Sequence, residues 1–161
     1  MDFDCQKLMN RIRAHPDDWC TLLPPCFPKD IAEVEKRLRS EISPALSDML
    51  QCFNGAEFFI AAIPLLTFFP VSNIAAHTPP DWAAGWYVDE FTAKWRADSA
   101  HRDQDWAVAI TNYGGLILFD AEEHIKEWDI NESRFIIEQM PFEQWIEKVF
   151  AEGEAMMREL S

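Results

Sequence analysis

The sequence predicts an α+β domain: N-terminal helices, a central curved and mainly antiparallel sheet, and a closing C-terminal helix. Three observations predict it. Apolar residues recur at helical spacing near both ends of the chain. Short apolar segments separated by Pro, Gly and Asn fill the middle. The clearest of these, 106-WAVAIT-111 and 116-LILFD-120, flank 112-NYGG-115, which is turn chemistry. Helices, then antiparallel strands, then a helix is the order of an α+β fold. The 161 residues suit one domain with one core, taken as residues 1–161. At 48% hydrophobic and 13% aromatic the chain is far too apolar to stay disordered.

The elements follow in order. Residues 3–14 suit a short helix with Cys5, Leu8, Met9 and Ile12 on one face, ended by 15-HPDD-18. A proline-rich connector, 23-LPPCFP-28, leads to 28-PKDIAEVEKRLRS-40. There Ile31, Val34 and Leu38 share a face, and Glu33–Arg37 and Glu35–Arg39 are acid-before-base pairs four apart. In 43-SPALSDMLQCFNG-55, Ser43 is an N-cap and Pro44 takes the first helical position. Leu46, Met49, Leu50 and Phe53 form the apolar stripe, and Asn54-Gly55 stops the helix, Gly55 being free to turn left-handed.

Residues 57–60 and 65–69 read as short strands around Pro64, and 71–76 as a helical turn. The stretch 77-HTPPDWAAG-85 is a loop. Val88, Phe91 and Trp95 place a helix in 86-WYVDEFTAKWRADS-99. After the 106–120 hairpin, 124-HIKEWD-129 and Arg134 to Glu138 are further extended segments. Phe142 to Leu160 closes the chain as a helix carrying Phe142, Trp145, Val149, Met156 and Leu160 along one side. Trp106, Trp128 and Trp145 are expected to be mostly buried.

Charge excludes more than it selects. Fourteen basic and twenty-eight acidic residues leave a formal net charge of −14. No Lys or Arg lies between Arg39 and Lys94, and the acidity concentrates after residue 52. Such a field repels phosphate backbones, so direct nucleic-acid binding is not expected. It either attracts a basic protein partner or simply keeps the chain soluble. The longest uncharged run, beginning at Phe58, contains Pro64 and Pro70 and reads as core, with no membrane segment. Cys5, Cys20, Cys26 and Cys52 form no C-x-x-C pair, and nothing at the N-terminus reads as a signal peptide. The expectation is therefore four reduced thiols in a cytoplasmic protein.

No catalytic constellation stands out, so the chain is not expected to be an enzyme, and no cofactor or metal is implied. His15, His77, His101 and His124 lie singly in turns and at strand ends and read as surface or turn residues, not as ligands or bases. Asp103-Gln104-Asp105 and Asp120-Ala121-Glu122-Glu123 lack the spacing and glycine of a calcium loop and read as solvated turns. Trp82, Trp86 and Tyr87 lie among Asp81, Asp89 and Glu90. Aromatics flanked by acids suit a recognition surface for a basic partner, unless this segment folds back and buries its own rings.

Four pieces together resemble the SUKH superfamily, which includes fungal cell-wall synthesis regulators of the Smi/Knr type and bacterial immunity proteins. They are 31-IAEVEKRL-38, 42-ISPALSDMLQCFNG-55 with Pro44, Asn54 and Gly55, 106-WAVAITNYGGLILFD-120 with Gly114 and Gly115, and 141-PFEQWIEKVF-150. The resemblance covers roughly residues 28–150 and leaves 1–27 as an N-terminal helical extension. It implies a helix-to-sheet corner at Asn54-Gly55 and a non-enzymatic, protein-binding role. One implied role is immunity: neutralising a cognate toxin, with a basic nuclease the best fit to the acidity. The alternative is a housekeeping regulator or scaffold binding an endogenous protein. The expected contacts are Asp81, Asp89, Glu90, Asp103 and Asp105 as charges, Trp82, Trp86 and Tyr87 as anchors, and Glu122 and Glu123 as weaker candidates.

Overall fold

A computed structural model describes residues 3–72, 86–98 and 104–160. These residues form five helices and seven strands: α1 (Cys5–Arg13), β1 (Cys20–Leu22), α2 (Pro28–Leu38), α3 (Pro44–Cys52), β2 (Ala56–Ile60), β3 (Pro64–Phe68), α4 (Val88–Ala97), β4 (Trp106–Thr111), β5 (Gly115–Phe119), β6 (His124–Asp129), β7 (Arg134–Pro141) and α5 (Phe142–Leu160). The α+β class is as expected. The strands form one open sheet in sequence order from β1 to β7. Every neighbouring pair is antiparallel. Both edges are blunted. β1 has three residues and runs into Pro24-Pro25, while β7 carries two register shifts against β6.

The period of two sorts β5 and β6 between two helical layers. Phe119 points to Phe142 of α5, with ring centroids 4.9 Å apart. Trp128, on the opposite face, meets Trp95 of α4 at 5.5 Å. α5 then crosses to β2, where Phe150 packs on Phe58 and Phe59 at 5.1 and 5.0 Å. Trp106 and Trp145 are buried and Trp128 is half-buried. Burying aromatics of this size, at roughly 25 cal/mol per Å² of apolar area, drives the layers together.

Asn54-Gly55 forms the expected corner. Phe53, already extended, ends α3, and its N–H donates to the Met49 carbonyl. Gly55 has φ +98°, and a Cβ there would meet the Pro70 nitrogen at 3.0 Å and the Phe68 carbonyl at 3.1 Å. The buried Asn54 amide oxygen accepts from Val71 N–H at 3.0 Å. Asn54 N–H donates to Pro24 and Leu23 N–H to Gly55. The corner thus fastens α3, the proline connector and the exit of β3 to one another. In the second motif, Gly114 takes φ +87° in the β4–β5 turn, and Gly115 opens β5.

One element is new and three expectations are corrected. Residues 20–22 form an edge strand on β2, because pairing, not local pattern, holds them. Glu35 accepts from Ile42 N–H and Arg37 pairs with Asp89, so these long side chains serve tertiary contacts and not the expected i,i+4 pairs. His15 lies in the turn after α1, as expected, but its ring is not at the surface. Its ring lies between Trp19, Phe59 and Phe150, with Nε2 2.6 Å from Glu154. Finally, Cys5 and Cys52 are joined as a disulfide across α1 and α3, leaving Cys20 and Cys26 as free thiols. Sequence separation of 47 residues hid that pairing.

Candidate functional site

A meander puts alternate turns at the same end of its sheet. The chain entering β4, the β5–β6 turn and the end of β7 therefore converge. There they line a surface cleft of about 340 Å³, formed by Gln104, Asp105, Asp120, Ala121, Glu122, Lys126, Glu138 and Gln139. Four carboxylates face one ammonium group in this lining.

The turn that shapes the cleft is built from its own acids. Asp120 Oδ1 accepts from Glu122 N–H and His124 N–H, both at 2.9 Å. This closure forces Glu123 to φ +64°. Glu123 then holds two helix starts together. Its Oε1 accepts from Ala45 N–H at 3.0 Å in the first turn of α3, and its carbonyl accepts from Phe142 N–H at the start of α5. A carboxylate at a helix N-terminus also gains from the macrodipole. Glu122 stays free of that work, with its side chain 78% exposed. His124 Nδ1 is 3.9 Å from both Asp120 and Glu122, and 3.3 Å from the Gln139 amide.

Asp105 forms the cleft floor and is only 2% exposed. Lys126 Nζ approaches its two oxygens at 3.2 and 3.4 Å. Arg96, from the last turn of α4, donates to the Asp105 and Gln104 carbonyls at 3.1 Å each and lies 4.8 Å above the Trp106 ring. Burial lowers the Arg96 pKa, and the nearby Asp105 carboxylate opposes that. The two cations of the site are thus engaged inward, and the outward charge is negative.

The structure divides the ten expected contact residues. It brings Asp105 and Glu122 together in the cleft and places Glu123 behind it as a cap. Trp86, Tyr87, Asp89 and Glu90 lie at the other end of α4, about 15 Å away along ten helical residues. Asp89 is 4% exposed. It accepts from Ser72 N–H at 2.9 Å and from the Ser72 hydroxyl, and pairs with Arg37 at 3.1 Å. Trp86 and Tyr87 are half-buried, Trp86 packing 6.2 Å from Phe69. Glu90 is exposed. Asp81, Trp82 and Asp103 lie outside the described residues, as do His77 and His101. Asp120, Lys126, Glu138 and Gln139 are cleft residues that the sequence reading did not select. The meander order was the signal that could have found them, since it unites distant turns at one end.

Elsewhere on the sheet, Glu127 is 3% exposed and accepts from the Tyr113 hydroxyl at 2.9 Å. Burial raises the carboxyl pKa of Glu127, and burial beside Glu127 pushes Tyr113 up to about 12. Among the described residues no group of His, Cys, Asp and Glu could hold a metal ion. No helix among them is long and apolar enough to cross a membrane.

The described residues thus form an open antiparallel meander with α4 on one face, α5 on the other and a carboxylate-lined cleft at one end. The chain matches the SMI1 / KNR4 family (SUKH-1) over residues 25–150 and belongs to that family. No curated relative matches it. The family includes immunity proteins and Smi1/Knr4-type members and is generally non-catalytic. Membership agrees with a protein–protein interaction role in general.

Proposed function

We propose that this chain is an immunity protein that binds a cognate toxin domain with a basic surface, and neutralises it by occupying that surface. The carrying observation is the cleft at the end of the sheet, where the exposed Glu122 and Glu138 stand with the turn-forming Asp120 beside the Asp105–Lys126 pair. A net charge of −14 extends the same field over the molecule. A nuclease groove is the basic surface that such a cleft fits best, because it is shaped to take phosphate oxygens, which carboxylates mimic. Glu90, Trp86 and Tyr87 at the far end of α4 supply a second contact for a partner large enough to span the helix.

The test is protection. Co-expression with the toxic C-terminal module of a secreted multidomain protein encoded beside this chain should restore growth, and the two should co-purify. Glu122→Lys with Glu138→Lys should weaken that complex at least tenfold. A pull-down that retrieves only an endogenous host protein, with no protection against any adjacent toxin, would replace this reading with the scaffold role.

A further inference from the structure

Residues 3–24, which contain α1 and β1, lie outside the segment that matches the family, yet they are docked firmly onto the rest of the chain, the end of α5 included. Leu8 and Ile12 bury the apolar face of α1. Arg11 Nη2 meets Glu154 at 2.6 Å and Nη1 meets Glu147 at 2.7 Å. His15 adds its contact to the same Glu154. At the other end of α1 the attachment is covalent. Cys5, the first residue of α1, is joined to Cys52, the last residue of α3.

This junction is not sealed. A surface cleft of about 580 Å³ is lined by Phe3, Asp4, Cys5, Asp48, Gln51 and Cys52, so both cysteines border open space. Cys52 is half-buried and Cys5 buried. The remaining thiols are poor competitors for exchange. Burial raises the pKa of Cys20, and burial with Asp30 nearby raises that of Cys26 to about 11, which keeps both protonated.

We propose that Cys5–Cys52 is an exchangeable disulfide, reached by a small dithiol through this cleft, and that opening it loosens α1 on the family core. The dithiol's thiolate attacks Sγ of Cys52, the less buried of the two residues. A mixed disulfide forms as the Cys5–Cys52 bond breaks, and Cys5 leaves as a thiolate that takes up a proton. The second thiol then loses its proton, closes on the first sulfur and expels Cys52, which is protonated in turn. The dithiol ends as a cyclic disulfide, having passed two electrons and two protons to the pair. With the loop between residues 5 and 52 reopened, α1 loses its covalent tie and keeps the packing of Leu8, Met9 and Ile12, the Arg11 and His15 contacts, and the Phe3–Phe142 ring contact that precedes it.

The experiment equilibrates the full chain with graded ratios of reduced to oxidised dithiothreitol. Maleimide-reactive thiols are counted after acid quench and unfolding, and amide exchange is followed by mass spectrometry in the folded state. The expected count rises from two to four through one transition. Amides of residues 8–13 exchange at least tenfold faster in the reduced form, while those of the middle of α5 do not change. A C20S/C26S variant should keep the transition. A C5S/C52S variant should lose it and show the faster α1 exchange at every ratio. Four reactive thiols under all conditions, or equal α1 exchange in the two states, would overturn the proposal.

Discussion

Glu154 shows how one side chain can serve two distant elements. Its hydrogen bonds to Arg11, reinforced by His15, hold its pKa down to about 2, against an ordinary 4.5. A carboxyl depressed in the folded state adds stability that is fully present above about pH 4.5 and is lost as the pH falls towards 2. Glu154→Gln should therefore cost about 1–3 kcal/mol at pH 7, and urea titrations should show that gap closing across this acid window. Glu127 works in the opposite sense. Burial raises its pKa, so its charged form is disfavoured in the folded state. Glu127→Gln should stabilise the domain by about 0.5–1 kcal/mol at pH 7 and by less near pH 4, because the wild-type group is then protonated. Gly55 is a backbone case. Gly55→Ala must adopt a positive φ and press on Pro70 and Phe68, for an expected loss of at least about 1 kcal/mol in chemical denaturation. That glycine was legible in sequence as a corner; the pKa shifts were not, since Glu154 is held by Arg11 and His15 from the other end of the chain and Glu127 is shifted by burial that only the folded sheet creates.

At the level of elements, the bounds of α5 and the start of α3 followed from capping and periodicity, whereas α3 ends at Cys52, with Phe53 already extended ahead of Asn54-Gly55, and β5 begins one residue before the expected 116. Ser43 accepts from Leu46 N–H and Pro44 opens α3 as expected. The start of α3 has a second support that the sequence could not show, the Glu123 carboxylate on Ala45 N–H. Glu123→Ala should therefore cost about 1 kcal/mol, as loss of a helix cap does. Amide exchange should locate the loosening at the first turn of α3. β1 escaped the sequence reading because three residues carry no period, and its existence depends on β2 being beside it.

For the whole molecule, the decisive quantity is the field of twenty-eight acids against fourteen bases. A partner drawn by that field should associate more slowly as ionic strength rises from about 0.05 to 0.5 M, while dissociation changes little. Stopped-flow association with the toxin domain measures both rates. An on-rate indifferent to salt would mean that the charge serves solubility alone. The composition announced this field but not its distribution. Two of the expected contact acids, Asp89 and Asp105, are turned inward onto Arg37 and Lys126. Such use of a charge depends on which cation the fold brings near, and local spacing does not encode it.

The sequence by itself determined the α+β class, the main helices, the hairpin, the Asn54-Gly55 corner and the family. The class, the helices and the hairpin rest on local periodicity, capping and turn chemistry, which act over a few residues; the corner and the family rest on the resemblance of four segments to the SUKH pattern. Only the tertiary structure decided which acids line a cleft, that His15 is buried on Glu154, and that Cys5 meets Cys52. Those facts depend on contacts between residues far apart in the chain, and folding alone brings such residues together.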